Sequence, residues 1–381
     1  MLLITRGSHA YKIIMLLLIT GEFPFRSLGL LGNERSIKET AVRMTQLHDI
    51  HIKDSEKTYR CRLITISGKS TLKTLRLCRA GFELIVDEMP DLFDSYMIDS
   101  FGHRFHGEAY RIERNHRIAE SILMCMRSGI ECRIHLLPQL QKRERLFLSY
   151  SDPAFYSSKY IKRLGVDEMN KSKYIRMVGA IFSEAGLYEI YNSRSDVMEW
   201  YGQGEDKSIL IMEDLCRYNF PISDSHRAII FGNEYDVAFR TLQRFAAGDK
   251  YVQLDLLGYQ SMHFIPMDES GTKLLQIMML KNWDQKLLRL IFESRYMPEV
   301  KEFNYDARIN DVYVLSFFDS DIIKLASFYK TVEQEKYKWE VACFDSQLPF
   351  LRKYLGDQAV IRVFPLDQIH TKLDAGKEAL I

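Results

Sequence analysis

The last quarter of the chain alternates two incompatible periodicities, and this alternation constrains the fold more than any other feature. Residues 312–317 form an apolar, strand-like run, 321–336 read as helix, 339–344 as strand, 347–355 as helix and 359–364 as strand. A β-α-β-α-β series of this kind buries its apolar faces as a small parallel sheet covered by its own helices. Asp319, Asp321 and Asp345 follow the strand ends, where open α/β sheets often bind ligands. Aspartate is also a common helix N-cap, and that is the preferred reading of all three.

The first 86 residues follow another plan. Residues 11–20 predict a buried helix that stops around Gly21 and Pro24, and 25–31 predict a short second helix ended by Gly32 and Asn33. Asn33 is a good N-cap for a third helix running from Glu34 to about His48. Ile37, Ala41, Met44 and His48 share one face of it, at helical spacing. The opposite face carries Arg35, Glu39 and Gln46, flanked by Lys38 and Arg43. Two strand-like stretches follow, about 50–53 and 60–66, joined by the polar loop 54–58; residues 70–79 and 81–85 close the segment.

Three helices and then a hairpin is the order of a winged helix-turn-helix, whose third helix enters the major groove of duplex DNA. Long cationic and amide side chains suit that role, because Arg and Gln can read base edges while Lys mainly neutralises phosphate. Glu39 could accept from a cytosine amine, and Lys57 and Arg60 in the hairpin would sit beside phosphates. The candidate DNA-binding set is therefore Arg35, Lys38, Glu39, Arg43, Gln46, Lys57 and Arg60. Charge agrees. The whole chain has 52 basic and 51 acidic residues, yet residues 1–86 hold 14 and 7, and the remainder 38 and 44. A basic end on a mildly acidic body suggests that one end meets a polyanion.

The middle of the chain offers only part of what enzyme chemistry needs. Residues 87–110, acidic and then carrying His103 and His106, lack a repeated ligand frame and read as a linker or lid. From there the expected order is a helix at 111–127, strands at 130–137 and 145–150, a helix at 155–164, a hairpin of 175–183 with 187–192, a helix at 207–218, a strand at 228–232 and a helix at 234–247. Helix, three strands, helix, strand is the core order of PD-(D/E)xK nucleases, which gather metal ions between carboxylates and a lysine. Glu120 and Glu189 are available, but Tyr191 stands where the lysine belongs, and Glu184 falls in the hairpin turn. No catalytic residue is assigned, and no cofactor or metal is implied. Cys125, Cys132 and His135 lie in an apolar run with no obvious fourth ligand, and none of the six cysteines forms a C-x-x-C pair. The stretch 202–208, Gly-Gln-Gly-Glu-Asp-Lys-Ser, lacks phosphate-loop spacing and reads as a turn before a helix. The apolar run 13–19 is too short to span a bilayer, and no cleavage site follows it, so the expectation is a cytoplasmic protein with no membrane partner.

Three features together resemble a known family. They are 75–85 (Leu-Arg-Leu-Cys-Arg-Ala-Gly-Phe-Glu-Leu-Ile), 114–120 (Arg-Asn-His-Arg-Ile-Ala-Glu), and 155–159 (Phe-Tyr-Ser-Ser-Lys) followed by 179–183 and 186–192. The set resembles the replication-relaxation type of protein carried on plasmids and integrative conjugative elements of Gram-positive bacteria, over roughly residues 10–220. The resemblance implies an accessory protein that binds double-stranded DNA in replication, DNA relaxation or mobilisation, with other proteins of such a complex as partners. It carries over no catalytic residue. Two other classes stay open: a winged-helix transcriptional regulator with a ligand- or partner-sensing body, and a divergent nuclease or a relaxase using a tyrosine such as Tyr156 or Tyr191. The expected fold class is α/β, α+β in its entirety. It comprises a winged helix-turn-helix (1–86), a linker or lid (87–110), a nuclease-like α/β body without an intact active site (111–300) and a C-terminal β-α-β-α-β region (301–381).

Overall fold

The computed structural model of the chain describes residues 2–52, 57–101, 107–137, 152–163, 176–200, 203–219, 226–254, 257–292, 305–309, 312–334 and 338–376. They form a mixed α/β protein divided into two compact units, residues up to 137 and residues from 152 to 376.

The first unit opens with strand β1 (Leu2–Ile4), helix α1 (His9–Thr20) and strand β2 (Glu22–Pro24). Helix α1 starts where the Ser8 side chain accepts from the Tyr11 N–H, and it buries Ile13, Ile14, Leu16, Leu17 and Leu18. The expected second helix is a 3-10 helix (Phe25–Leu31). Gly29 in its middle disfavours α-helix, and only seven residues are available to propagate one. Helix α2 (Glu34–Met44) follows, then β3 (His48–Ile52), β4 (Thr58–Cys61), β5 (Ile64–Ser67) and β6 (Thr74–Leu77). Strands β3 and β4 form the expected antiparallel hairpin, and β1 joins it in parallel with β3.

The single strand expected at 60–66 is broken. The Leu63 N–H donates to the Met44 carbonyl, and the Leu63 carbonyl accepts from Cys78. The chain there leaves the β1-β3-β4 sheet and enters a second one, ordered β2-β6-β5.

Residues expected to be linker are folded: α3 (Phe82–Glu88), α4 (Pro90–Tyr96) and a π-helical turn (Met97–Phe101) gather Phe93, Tyr96 and Phe101 around Phe82. His103 and His106 lie outside the described residues. Helix α5 (Ala109–Arg127) buries Ile118, Ile122 and Met126 as its periodicity predicts, but within the first unit. Its Asn115 donates to Glu22 at 2.6 Å, and His116 bonds Thr74 at 2.8 Å. A boundary at residue 86 would cut both contacts.

The strand expected at 130–137 is replaced by a short 3-10 helix (Ile134–Leu136). Glu131 turns back on its own backbone, accepting from the N–H groups of Cys132 and Arg133 and from the Arg133 guanidinium. Local side-chain bonding of this kind competes with a strand ladder. The strand expected at 145–150 lies outside the described residues.

The second unit contains β7 (Ala154–Ser157), α6 (Ser158–Arg163), β8 (Gly179–Ser183), β9 (Gly186–Arg194), α7 (Gln203–Asn219), β10 (Arg227–Gly232), α8 (Tyr235–Ala246), β11 (Ser261–Pro266), α9 (Glu269–Met278) and α10 (Trp283–Phe292). The helix expected at 155–164 begins instead as strand β7, because Phe155 and Tyr156 pair with Ile181 and Ala180 of β8. Gly179 admits the Phe155 ring: a Cβ there would lie 2.3 Å from it. The sheet order is β11-β10-β9-β8-β7, antiparallel through β7, β8 and β9 and parallel from β9 to β11.

The closing segment is the expected parallel β-α-β-α-β. It runs β13 (Val312–Ser316), α11 (Ile322–Gln334), β14 (Lys338–Phe344), α12 (Leu348–Leu355) and β15 (Val360–Phe364), with β12 (Ala307–Ile309) added antiparallel and α13 (Leu366–Lys372) at the end. Phe317, Phe318, Phe328, Phe344 and Phe350 pack its interior. Among the described residues no helix is long and apolar enough to cross a membrane.

Candidate nucleic-acid interface

Helix α2 is built to present one polar face. Asn33 caps it by accepting from the Ser36 N–H, and Ile37, Ala41 and Met44 fix the inner face in the core. Arg35, Glu39 and Arg43 on the outer face are exposed, as is Gln46 just beyond the last turn, while Lys38 is half-buried. Two of the three cations meet carboxylates of the same helix. Arg35 lies 3.0 Å from Glu39 four residues on, and Lys38 pairs with Glu34 four residues back. Such exposed helical pairs contribute little to stability and are readily exchanged for another anion. Arg43 has no carboxylate partner among the described residues. The Lys38 ammonium also lies 5.6 Å from the centre of the Phe25 ring, a cation–π contact.

The hairpin residues are engaged more firmly. Lys57 lies 2.5 Å from Asp87, and the Tyr59 hydroxyl donates to the same carboxylate oxygen at 2.5 Å. These two donors hold the Asp87 carboxyl below its ordinary range, and Asp87 in turn raises the Lys57 ammonium. Burial, together with Asp87, pushes the Tyr59 phenol up to about 12. Arg60 faces Asp49 directly across the β3–β4 ladder, at 3.9 Å. Thus α2 brings Arg35, Lys38, Glu39 and Arg43 together, Gln46 follows just beyond its end, and Lys57 and Arg60 sit on the hairpin that follows. Asp87, thirty residues from the lysine it neutralises, had no signal in the sequence. Lys69 and Lys73, in the exposed turn between β5 and β6, were also passed over.

A cavity of about 410 Å³ lies in the same unit, lined by Ile4, Ile14, Ile52, Leu84 and Ile85 and reached by Arg6 and Glu88.

The carboxylates considered for nuclease chemistry are each engaged within their own unit. Glu120 belongs to the first unit and accepts from Ser27 at 2.5 Å. Glu189 is buried in the second, accepting from Ser208 at 2.6 Å and Tyr259 at 2.9 Å. Burial, with the neighbouring Glu205 charge, pushes the Glu189 carboxyl up to about 7, although Ser208 and Tyr259 pull the other way. Tyr191 bonds the Tyr259 hydroxyl at 2.6 Å, and both Tyr156 and Tyr191 are fully buried. Glu184 faces Lys281 at 3.6 Å from the hairpin turn.

Asp321 accepts from the N–H groups of Ile323 and Lys324 and so caps α11, and Asp345 accepts from Ser346 and Leu366. Asp319 accepts from the Asp321 N–H. Cys132 donates to the Ile130 carbonyl, and burial pushes its thiol well up. Among the described residues no group of three His, Cys, Asp or Glu could hold a metal ion. No protein-family model, curated protein or solved structure matches the chain.

Proposed function

We propose that the chain is a double-stranded-DNA-binding protein whose first unit is a winged helix-turn-helix, with α2 as the groove helix and β3–β4 as the wing. One observation carries this reading: a capped amphipathic helix runs directly into an antiparallel hairpin, and both present basic side chains outward. In line with the resemblance stated above, the protein is an accessory factor of a plasmid or conjugative element, acting in replication, relaxation or mobilisation beside other proteins of that complex. The second unit then docks partners. The helix that would open a nuclease-like core belongs to the first unit, and the buried carboxylate Glu189 of the second is engaged with Ser208 and Tyr259, so nothing favours cleavage.

A second reading, a ligand-responsive winged-helix regulator, is favoured by the cavity that Ile52 of β3 helps to line. Conjugation or replication genes beside this one support the first reading, and a divergent operon supports the second.

The test is fluorescence anisotropy of a labelled duplex with the full chain across a salt series, with supercoiled DNA and magnesium incubated in parallel. Neutralising several phosphates makes affinity fall linearly with salt on logarithmic axes. Absence of binding at low salt would overturn the reading. Nicking that disappears in Glu189→Gln would replace it with the divergent nuclease.

A further inference from the structure

We propose that the turn between β5 and β6, through Lys69 and Lys73, is a second grip on the DNA backbone beside α2. The inference rests on the DNA-binding reading and adds a place of phosphate contact to it.

The first observation concerns where the basic surplus lies. Residues 57–82 contain seven Lys or Arg and no Asp or Glu. The rest of residues 1–86 holds seven basic and seven acidic side chains. The surplus of the whole N-terminal region therefore resides in the stretch from the wing's second strand to the start of α3, and α2 with its own carboxylates contributes almost none of it. Within that run the structure separates occupied cations from open ones. Lys57 and Arg60 face Asp87 and Asp49, and Arg76 is held by the buried Glu22, with both Nε and Nη2 within 3.0 Å of one oxygen. Lys69 and Lys73 have no carboxylate partner among the described residues, and both are exposed.

The second observation concerns place. The ammonium of Lys73 lies 5.9 Å from the centre of the Phe25 ring, and that of Lys38 lies 5.6 Å from the same centre. Lys38 belongs to α2, so one ring joins the groove helix to the turn on one surface. The Phe25 N–H donates to the Lys73 carbonyl at 2.9 Å and ties the turn there. A duplex lying against α2 thus meets Lys73, and Lys69 lies four residues away at the tip.

The third observation is that the turn holds its shape. Gly68 has φ +86°, and a Cβ there would lie 2.4 Å from the Leu72 carbonyl oxygen. Ser70, also at positive φ, opens a single 3-10 turn (Ser70–Leu72), closed by the Leu72 N–H on the Lys69 carbonyl at 3.0 Å. The exposed hydroxyls of Ser70 and Thr71 at the tip add donors suited to phosphate oxygens.

The experiment compares the full chain with a Lys69→Gln/Lys73→Gln variant and a Arg35→Ala/Arg43→Ala variant, using one labelled duplex across salt. Each lost phosphate contact lowers the salt slope by about 0.9, so the lysine variant should show a slope shallower by about 1.8. Between about 50 and about 200 mM salt its affinity should then fall roughly tenfold less than the parent's. The loss should be equal for all duplex sequences, and the thermal midpoint should not move. A parent that binds while the lysine variant keeps its slope and affinity would overturn the inference and leave the DNA reading standing. A parent that does not bind duplex would overturn both. Binding to single strands only, with no duplex binding, would overturn the choice of ligand.

Discussion

The α2 pair of the first unit and the Asp306–Lys324 pair of the second lie at opposite ends of the burial scale. In the first, the side chains of the α2 pair Arg35 and Glu39 are 90% and 64% exposed. In the second, the Asp306 side chain is 6% exposed beneath a Lys324 at 21%, and Glu189 lies inside the five-stranded sheet. Exposed pairs are worth little and can be traded for an external anion, whereas buried groups are committed to the fold. Glu22 is an exception in the first unit: buried, it binds Arg76 and Asn115 and joins β2 to β6 and α5. The division teaches where to look for each property. Substitutions at the buried charged sites of the second unit should appear in stability, and those on the α2 surface in binding.

The largest effect should come from Lys324. Its ammonium bonds Asp306 at 2.6 Å and the Ser316 carbonyl at 3.1 Å, while Ser316 donates twice to the same carboxylate. Burial raises the Asp306 carboxyl, and Lys324 with Ser316 more than reverses this, so Asp306 titrates below its ordinary value. Lys324→Ala removes the ammonium from that buried carboxylate. The expected cost is about 3 kcal/mol, the low end for breaking a buried pair, because the Lys324 side chain is partly exposed. The double variant Asp306→Asn/Lys324→Met should recover most of the loss. All three tryptophans, Trp200, Trp283 and Trp339, lie in the second unit, so urea unfolding followed by tryptophan fluorescence reads this unit alone. An unchanged midpoint in Lys324→Ala would break the contrast between the units.

Glu189 supplies a pH dependence of opposite sign to that of Asp306. An unfolded chain releases its proton near the ordinary 4.5, whereas the folded unit holds it to about 7. The folded state therefore binds more protons between these values. The stabilising contribution is fully present below about pH 4.5 and is lost as pH rises to about 7. Glu189→Gln keeps an acceptor for Ser208 and Tyr259 and removes the titration. Its urea midpoint should be flatter between these pH values than the parent's, and an equal slope in both would show that Glu189 does not carry it.

How much of this was legible in the sequence differs between the units for a physical reason. The C-terminal β-α-β-α-β was readable because each element is long and its periodicity local, and α1, α2 and the β3–β4 hairpin were readable from caps, turns and alternation. The errors fell where tertiary pairing overrode local preference. Phe155 and Tyr156 became strand by pairing with β8, the strand at 60–66 was broken by Leu63 bonding α2, and Glu131 folded back on its own backbone. The face of α2 was readable as a row of charges, but their state was not. That Lys57 is neutralised by Asp87 follows only from the fold. The acid-free run around Lys69 was visible in the sequence, yet only the shared contact with Phe25 places it beside α2.

The smallest effect, and the one that resolves the first unit most finely, should come from Asp87→Asn. Lys57 stands where a wing would meet phosphate, but its charge is already met by Asp87, so binding there must exchange one anion for another. Asparagine keeps an acceptor for the Tyr59 hydroxyl and removes the competing charge. In the DNA-binding reading, Lys57 then becomes a full phosphate contact, and the salt slope steepens by about 0.9 with tighter binding at low salt. The tryptophan-detected midpoint of the second unit should stay where it is. Identical slopes for parent and variant, with the Lys69→Gln/Lys73→Gln variant shallower than both, would place the phosphates on the β5–β6 turn and α2, away from the wing.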